Sequence, residues 1–418
     1  MSSLPRNWTS TKLGKVAKEM FGGGTPSTKN PSFWQGNIPW LTSKSLGDAI
    51  YLTAGEKTIS EEAVRKSATH IVPAGNLIFA TRVGVGKVVV TKIDVAISQD
   101  GTGIIIDPTE VDPTFLAYQL RTESVQSFVA QNKRGATIQG ITRTSLQQVD
   151  VIIPPFTEQR RIAYVLSTVQ TAIEQQERLI KLTRELKSAL MHKLFTEGLH
   201  GEKQKMTEVG PVPESWDVTE LSDMIEDTEQ VNMRTESERQ IKYIDVSSIS
   251  REHLLVEATA EYLLKDAPGR ARKKVKAGDV IFATVRPTLL RVAHISEELN
   301  NQVCSTAFCV LRAKEDVSDK YIYYVVQREQ FIKQLSAIES GANYPAVTDR
   351  QVKNQKIPKP KYDEQVKIAE ILDACDIKVL QHAKKRKILE ELFRTLLHQL
   401  MTGQTRVNDI DLPGFAEG

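Results

Sequence analysis

Pro154-Pro155-Phe156-Thr157-Glu158-Gln159-Arg160-Arg161-Ile162-Ala163 returns 206 residues later as Pro360-Lys361-Tyr362-Asp363-Glu364-Gln365-Val366-Lys367-Ile368-Ala369. The same displacement carries Leu166 to Leu372, Glu185-Leu186 to Glu391-Leu392, Leu190 to Leu396, His192 to His398 and Leu194 to Leu400. Nothing is inserted or deleted between them. Neither Glu158–Thr196 nor Glu364–Thr402 contains Pro or Gly. Ile162, Leu166, Val169, Ile173 and Ile180 fall on one helical stripe, matched in the second copy by Ile368, Leu372, Cys375 and Val379. Prolines before each copy hold the chain extended up to the helix start. The pattern predicts two helices of about 39 residues, roughly 58 Å each at 1.5 Å per residue. A lone helix of that length would leave its apolar stripe in water, so each needs a partner, and its own duplicate is the natural one. Gln176 and His382 interrupt the seam with polar groups.

Upstream of the helices the copies match more loosely. Pro5 and Trp8 answer to Pro213 and Trp216, and Ala74-Gly75 with Ile78-Phe79-Ala80-Thr81 answers to Ala277-Gly278 with Ile281-Phe282-Ala283-Thr284. A repeat this long means duplicated domains, since solenoid repeats run to a few tens of residues. Short β-rich runs (Asn76–Thr81, Val88–Thr91, Gly103–Ile106) alternate with turns and with helical stretches at Thr114–Gln131 and Lys320–Ser336. The fold class is α+β: two globular domains in a tandem pseudo-twofold repeat, separated by two long antiparallel coiled-coil-like helices. The expected boundaries are a first domain at 1–156, a helix at 157–199, a linker at 200–212, a second domain at 213–361, a helix at 362–402 and a tail at 403–418.

Composition narrows the class without choosing it. Of 418 residues, 40% are hydrophobic and 26% charged, as in ordinary globular proteins. Fifty-five basic against 52 acidic residues leave a net charge of +3, so any polyanion must be met by local patches. Cys304, Cys309 and Cys375 are odd in number and lack metal spacing, which points to buried thiols in a reducing cytoplasm. With no apolar run of 18 residues and no basic-then-apolar leader, neither a membrane span nor an export signal is expected.

Catalytic motifs are weak. Asn30-Pro31-Ser32-Phe33 is similar to the Asn-Pro-Pro-Phe/Tyr motif of amino-group DNA methyltransferases, but its third residue differs and no glycine-rich cofactor loop accompanies it. Gly84-Val85-Gly86-Lys87 resembles the end of a phosphate loop, yet Thr81 stands where the first glycine belongs and no Ser or Thr follows the lysine. A glycine-bearing hairpin is the plainer reading. There is no HExxH and no nucleophile elbow.

Loops of both copies instead gather donors of the kind that meet phosphates and base edges. The candidate DNA contacts in the first domain are Thr25, Ser27, Lys44, Thr81, Arg82, Gly84, Gln99, Asp100, Thr102, Lys133, Arg134 and Thr137. In the second they are Arg272, Lys273, Thr284, Arg286, Ser305, Asn343 and Tyr344. The flanking strands repeat while the loops differ, which suggests two readers with different targets on a common frame. A stand-alone DNA methyltransferase or nuclease, and a duplicated protein–protein scaffold, remain the alternatives.

The order of elements resembles the specificity subunit of type I restriction–modification systems. Ile153-Pro154-Pro155-Phe156-Thr157-Glu158-Gln159-Arg160-Arg161-Ile162-Ala163 and its duplicate carry the resemblance. Gly22-Gly23-Gly24-Thr25-Pro26-Ser27 with Ile38-Pro39-Trp40 is similar to the opening of many target-recognition domains, and Ala136-Thr137-Ile138-Gln139-Gly140-Ile141-Thr142 to their closing segment. The second domain departs from that pattern: it lacks the glycine-rich opening and ends in Gly341-Ala342-Asn343-Tyr344-Pro345-Ala346-Val347-Thr348. The resemblance implies that each domain reads one half of a split, asymmetric double-stranded DNA site. The helix pair would fix the spacing and dock two copies of a methyltransferase subunit, with a motor-nuclease subunit joining them. It further implies a non-catalytic chain of the prokaryotic cytoplasm that binds no cofactor itself, S-adenosylmethionine, ATP and Mg²⁺ belonging to the partners.

Overall fold

The computed structural model describes residues 4–135, 139–341, 345–407, 412 and 415. The expected long helices form as Phe156–Glu197 and Tyr362–Thr402, 42 and 41 residues. At 1.5 Å per residue each is about 60 Å long. By contacts the chain divides into two compact units, Met1–Arg178 with Lys384–Gly418, and Leu179–Ala383. Each unit therefore owns half of each long helix.

Unit 1 contains a five-stranded sheet in the order Ala17–Gly22, Gly101–Ile106, Leu77–Ala80, Val88–Thr91 and Tyr51–Leu52. A second sheet runs Lys57–Ile59, Ile38–Leu41, Val95–Ile97 and His70–Val72, with the two central strands parallel. Thr9–Lys12 pairs with Asp150–Ile153, which delivers the chain to the first long helix. Unit 2 repeats this plan. Its first sheet runs Ile225–Glu226, Phe308–Ala313, Val280–Ala283 and Val292–His294, and its second Ala260–Leu263, Gln240–Ile244, Gln302–Ser305 and Ala271–Val275. The two central strands of the latter are again parallel, and Asp217–Glu220 again pairs with the strand before the helix, Lys356–Lys359. The second domain thus keeps the plan of the first, with four strands in place of five in its first sheet, despite lacking its glycine-rich opening.

Each core is closed by both long helices. In unit 1, Ile162, Ala163 and Leu166 pack with Leu400 and Met401 around Phe79, Phe115 and Tyr118. In unit 2, Leu194 and Phe195 pack with Ile368, Ala369 and Leu372 around Phe282, Tyr321 and Tyr324. Within either unit, the start of one helix therefore lies against the end of the other, the antiparallel sense expected. Each such buried Leu, Ile, Met or Phe side chain contributes about 1.5–3 kcal/mol. Of the polar seam positions, Gln176 is buried and His382 half-buried.

The duplicated Glu-Gln pair explains its own recurrence. Trp8 Nε1 donates to Glu158 Oε2 at 3.0 Å, and Trp216 Nε1 to Glu364 Oε2 at 2.9 Å. Gln159 Oε1 accepts from Asp112 N at 2.9 Å, and Gln365 Oε1 from Ser318 N at 3.1 Å. Each glutamine amide donates to the carbonyl of the proline five residues back, Pro154 or Pro360, at 2.9 Å. Such polar groups lie inside only because every one is partnered. Each clamp ties the helix start to the domain's opening tryptophan and to the cap of the helix packed beside it. The fourth interaction differs between the units. Arg406 makes a forked ion pair to Glu158, whereas Glu364 accepts the backbone N–H of Leu199.

Three expectations needed correction. Thr114–Gln131 is two helices, Pro113–Leu120 and Glu123–Gln131, because Thr122 Oγ1 bonds back to Gln119 O and its backbone turns extended. Lys320–Ser336 likewise splits into Asp319–Val325 and Glu329–Ile338, with Arg328 extended between them. The linker is no plain connector: Gln204–Thr207 and Gly210–Pro213 form a hairpin, its return strand opened by Gly210 at φ +89°.

Candidate nucleic-acid interface

In each domain three backbone segments meet at one edge. Thr81, directly after the strand Leu77–Ala80, donates its N–H and hydroxyl to Asp100 O at 2.8 and 3.1 Å, and its carbonyl accepts from Ile141 N at 2.9 Å. Thr284, after Val280–Ala283, does the same: N–H and hydroxyl reach Ala307 O at 2.8 and 2.9 Å, and Val347 N donates to its carbonyl at 2.9 Å. A serine braces each turn, Ser98 Oγ accepting from Asp100 N and Ser305 Oγ from Ala307 N. The third segment is pinned by paired backbone bonds, Arg134 with Gly140 in the first domain and Ser340 with Ala346 in the second. In the first domain a Cβ on Gly140 would lie 2.6 Å from Thr81 O, whereas the second domain carries Ala346 at the matching place.

On this frame the first domain presents Arg82, 47% exposed, its Nε 3.9 Å from Asp100 Oδ1. The loop from Arg82 to Lys87 turns at Gly84 and Gly86, φ +65° and +101°, confirming a glycine-bearing hairpin. Ser43 Oγ donates to Val83 O at 2.7 Å, which brings the neighbouring exposed Lys44 to the same loop. The opening glycines serve close packing: a Cβ on Gly23 would sit 1.9 Å from Ile97 O. Their approach places Thr25 Oγ1 2.6 Å from Gln99 Oε1. Thr25, Lys44, Arg82, Gly84, Gln99, Asp100 and Arg134 are thereby gathered, all but Asp100 exposed. Ser27 is exposed two residues beyond Thr25, and its carbonyl accepts from Trp34 Nε1.

The second domain uses the same edge differently. Arg286 is exposed and held in the left-handed region at φ 50°, its N–H bonded to Pro345 O at 2.7 Å. A non-glycine residue there carries strain of order 1 kcal/mol or more, kept only because neighbouring contacts fix it. Thr306 is exposed where the first domain has Gln99, and its N–H donates to Arg270 O at 2.9 Å, so Arg270 borders the same turn.

Among the described residues, no group of three His, Cys, Asp or Glu is placed to hold a metal, and no helix is long and apolar enough to cross a membrane. The three cysteines are free and buried, and burial pushes the Cys309 thiol up to about 12.

The family model for the type I restriction modification DNA specificity domain matches twice, at residues 5–184 and 213–391. The chain belongs to this family. Among curated relatives, the type I restriction enzyme MjaVIII specificity subunit of Methanocaldococcus jannaschii is 23% identical, covering 98% of this chain and 95% of its own length. The EcoR124I/EcoR124II specificity subunit of Escherichia coli is 29% identical over 165 residues, 38% of this chain and 40% of its own. In fold, a crystal structure of a type I S subunit from M. genitalium superposes with a TM-score of 0.63 at 16% identity, covering 96% of this chain and 97% of that one. A second structure, from work on assembly and conformational transition of the type I system, gives 0.52 at 16% identity over 97% and 100%.

Not every candidate of this type I specificity chain reaches the surface. Thr81, Thr102, Thr284 and Ser305 are buried, and the hydroxyls of Thr81 and Thr284 are spent on the frame. Lys273 turns inward to Phe308 O and Asp349, and Lys274 to Glu236 at 2.8 Å, so the basic run of this strand is largely consumed in ion pairs. Hydrogen bonding from Lys274 holds the Glu236 carboxyl down to about 2. Arg272 is half-buried and donates to Ala271 O, and Lys133 is half-buried. Thr137, Asn343 and Tyr344 lie outside the described residues. Thr306 was overlooked; its place 207 residues after Gln99 was the signal that would have found it.

Proposed function

We propose that this chain is the DNA sequence-specificity subunit of a type I restriction–modification complex, with each domain reading one half of a bipartite, asymmetric double-stranded site. The observation that carries this reading is the edge itself. A matching backbone frame presents Arg82, Gln99 and Asp100 in one domain but Arg286, Thr306 and Ala307 in the other. Beside a shared arginine, Gln99 and Asp100 in one domain answer to Thr306 and Ala307 in the other. Different polar groups on one frame are what two unlike half-sites require, because base choice follows the side chains that reach the groove. The long helices, each an uninterrupted rod, fix the spacing between the halves in this account.

The helices also support docking of two copies of one methyltransferase subunit. Leu182 and Leu186 stand 48% and 54% exposed one turn apart, and their duplicates Ile388 and Leu392 stand 56% and 43% exposed. Two matched apolar pairs left in water suit two copies of the same partner. A motor-nuclease subunit completes the assembly in the prokaryotic cytoplasm. Catalysis, and with it S-adenosylmethionine, ATP and Mg²⁺, belongs to those partners.

The test uses the purified chain with and without its methyltransferase. Binding to DNA should weaken steeply with salt, in proportion to the phosphates met. Methyl transfer from labelled S-adenosylmethionine should require the partner. Transfer by the chain alone would make it an enzyme, and salt-independent association with peptides but not DNA would make it a scaffold.

A further inference from the structure

In unit 2 the end of the helix Phe156–Glu197 and the start of the helix Glu329–Ile338 border a groove of about 580 Å³. Met191, Phe195, Pro211, Leu290 and Ile332 give it apolar walls. A pocket of that size, mostly apolar with a few placed polar groups, has the usual form of a binding site. The polar group that stands out is Arg328, half-buried, its guanidinium carbon 5.0 Å from the centre of the Phe195 ring. Among the described residues, no carboxylate lies within ion-pair distance of that guanidinium and no acceptor takes its N–H groups. The adjacent carboxylate, Glu329, is spent at the rim on Lys333 at 2.6 Å. Burial holds the Arg328 guanidinium below its usual range. A charge withdrawn from water without a partner is costly, and a planar guanidinium is matched best by a carboxylate.

The duplicated turn in unit 1 is complete without a ligand. Thr122 stands 206 residues before Arg328, and the arginine of that turn comes one residue earlier. Arg121 gives its guanidinium to the carbonyls of Asp48, Ala49 and Val88 at 2.7, 2.8 and 2.7 Å. The loops after the matching strands differ as well. In unit 1, Gly84 and Gly86 take the positive φ angles, which glycine adopts without strain. In unit 2, Arg286 and Leu290 take them, at φ 50° and 45°, where a side chain is strained. Leu290 lines the groove, so this strained loop forms one of its walls.

We propose that the groove docks a segment of a partner protein carrying a Glu or Asp beside an apolar side chain, and that the docked segment steadies the loop bearing Arg286. The carboxylate forks onto Arg328, and its apolar neighbour fills the space between Phe195, Ile332 and Leu290. Apolar walls favour such a peptide over a DNA phosphate, whose neighbours are polar sugars. Each chain holds one such dock, because Thr122 offers no guanidinium. The loop's part rests on the functional reading above; the groove itself does not.

The test uses the intact chain, methyl-labelled at Met, Ile and Leu for magnetic resonance. It is titrated through the millimolar range with acetyl-Phe-Glu-Leu-amide and, separately, with acetyl-Phe-Gln-Leu-amide. The Glu peptide should shift the Met191, Leu290 and Ile332 signals and leave those of unit 1 unmoved. The Gln peptide should bind about tenfold more weakly, the scale of a hydrogen bond to a charged group. Arg328→Met, which keeps an apolar stem beside Phe195, should abolish that preference, and Arg328→Lys should retain part of it. Saturating Glu peptide should slow hydrogen exchange at 288–291 by about tenfold and leave 82–87 unchanged. Equal binding of the two peptides, or a preference that survives Arg328→Met, overturns the proposal. So do unchanged exchange at 288–291 and shifts of equal size from inorganic phosphate, 3-phenylpropionate or a short oligonucleotide. The peptide pair on the wild-type chain decides even where Arg328→Met does not fold. None of these readouts involves sequence-specific DNA binding, so their failure leaves the functional reading standing.

Discussion

The helix clamps and the reading edges come from the same duplication, yet they have diverged to opposite degrees. At the clamps, Trp8, Glu158 and Gln159 bond almost atom for atom as Trp216, Glu364 and Gln365 do. At the edges the backbone pattern, the hydroxyls of Thr81 and Thr284, the bracing Ser98 and Ser305 and one exposed arginine persist, while Gln99 gives way to Thr306 and Asp100 to Ala307. The difference follows from burial. A buried donor left unpaired costs about 1–3 kcal/mol, so the clamp tolerates little change. Exposed loop side chains usually alter stability by within about 0.5 kcal/mol and are free to vary with the target. A rigid frame with variable tips is the arrangement of a reader whose target changes while its partners do not.

The comparison can be broken first at its most lopsided point. Gly23→Ala would drive a methyl group into Ile97 O, and the facing atoms are backbone. A loss of about 3 kcal/mol or more is expected in the first domain, seen as hydrogen exchange opening Val95–Ile97 while unit 2 stays protected. Unchanged protection would show that the glycine-rich opening is not what packs Thr25 against Gln99.

The clamps come next. Glu158→Ala removes the partner of both Trp8 and Arg406 and should cost unit 1 about 3 kcal/mol; Glu364→Ala, which strands Trp216 and the Leu199 N–H but no arginine, should cost unit 2 about 2 kcal/mol. Equal losses in local exchange would mean that Arg406 adds nothing. The smallest effect is one of pH. The Glu236 carboxyl is depressed by Lys274, so its contribution is complete above an ordinary carboxylate value near 4.5 and lost as pH falls through about 2. The pair is partly solvated, so a few tenths of a kcal/mol is the scale. Lys274→Met should reduce that acid dependence in unit 2, measured by thermal unfolding between pH 5 and 2, leaving the part set by Arg239 and the Asn232 N–H, and leave unit 1 as it was.

Much of the frame was legible in the sequence because its signals are local or repeated. Helical periodicity without Pro or Gly fixed the two rods, and the looser upstream match, at a displacement of 208 residues, paired Trp8 with Trp216 before any contact was known. What stayed hidden depends on partners far along the chain. Lys273 reads as a free cation until Asp349 is folded against it, and Thr81 reads as a loop donor until Asp100 takes its hydroxyl. The breaks at Thr122 and Arg328 carry no Gly or Pro, so nothing local announced them. The Arg286 loop was chosen for its charge, whereas its left-handed backbone is visible only in the fold.

The central claim is that two unlike readers stand on one frame, and the methylation motif tests it most directly. DNA from cells expressing this chain with its methyltransferase should be sequenced for modified bases, beside DNA from cells carrying Arg82→Ala or Arg286→Ala. Each substitution should relax one half of the motif and leave the other intact, with discrimination at the affected base falling by about 1–3 kcal/mol. Both halves loosening together, or neither changing in either variant, would contradict the account.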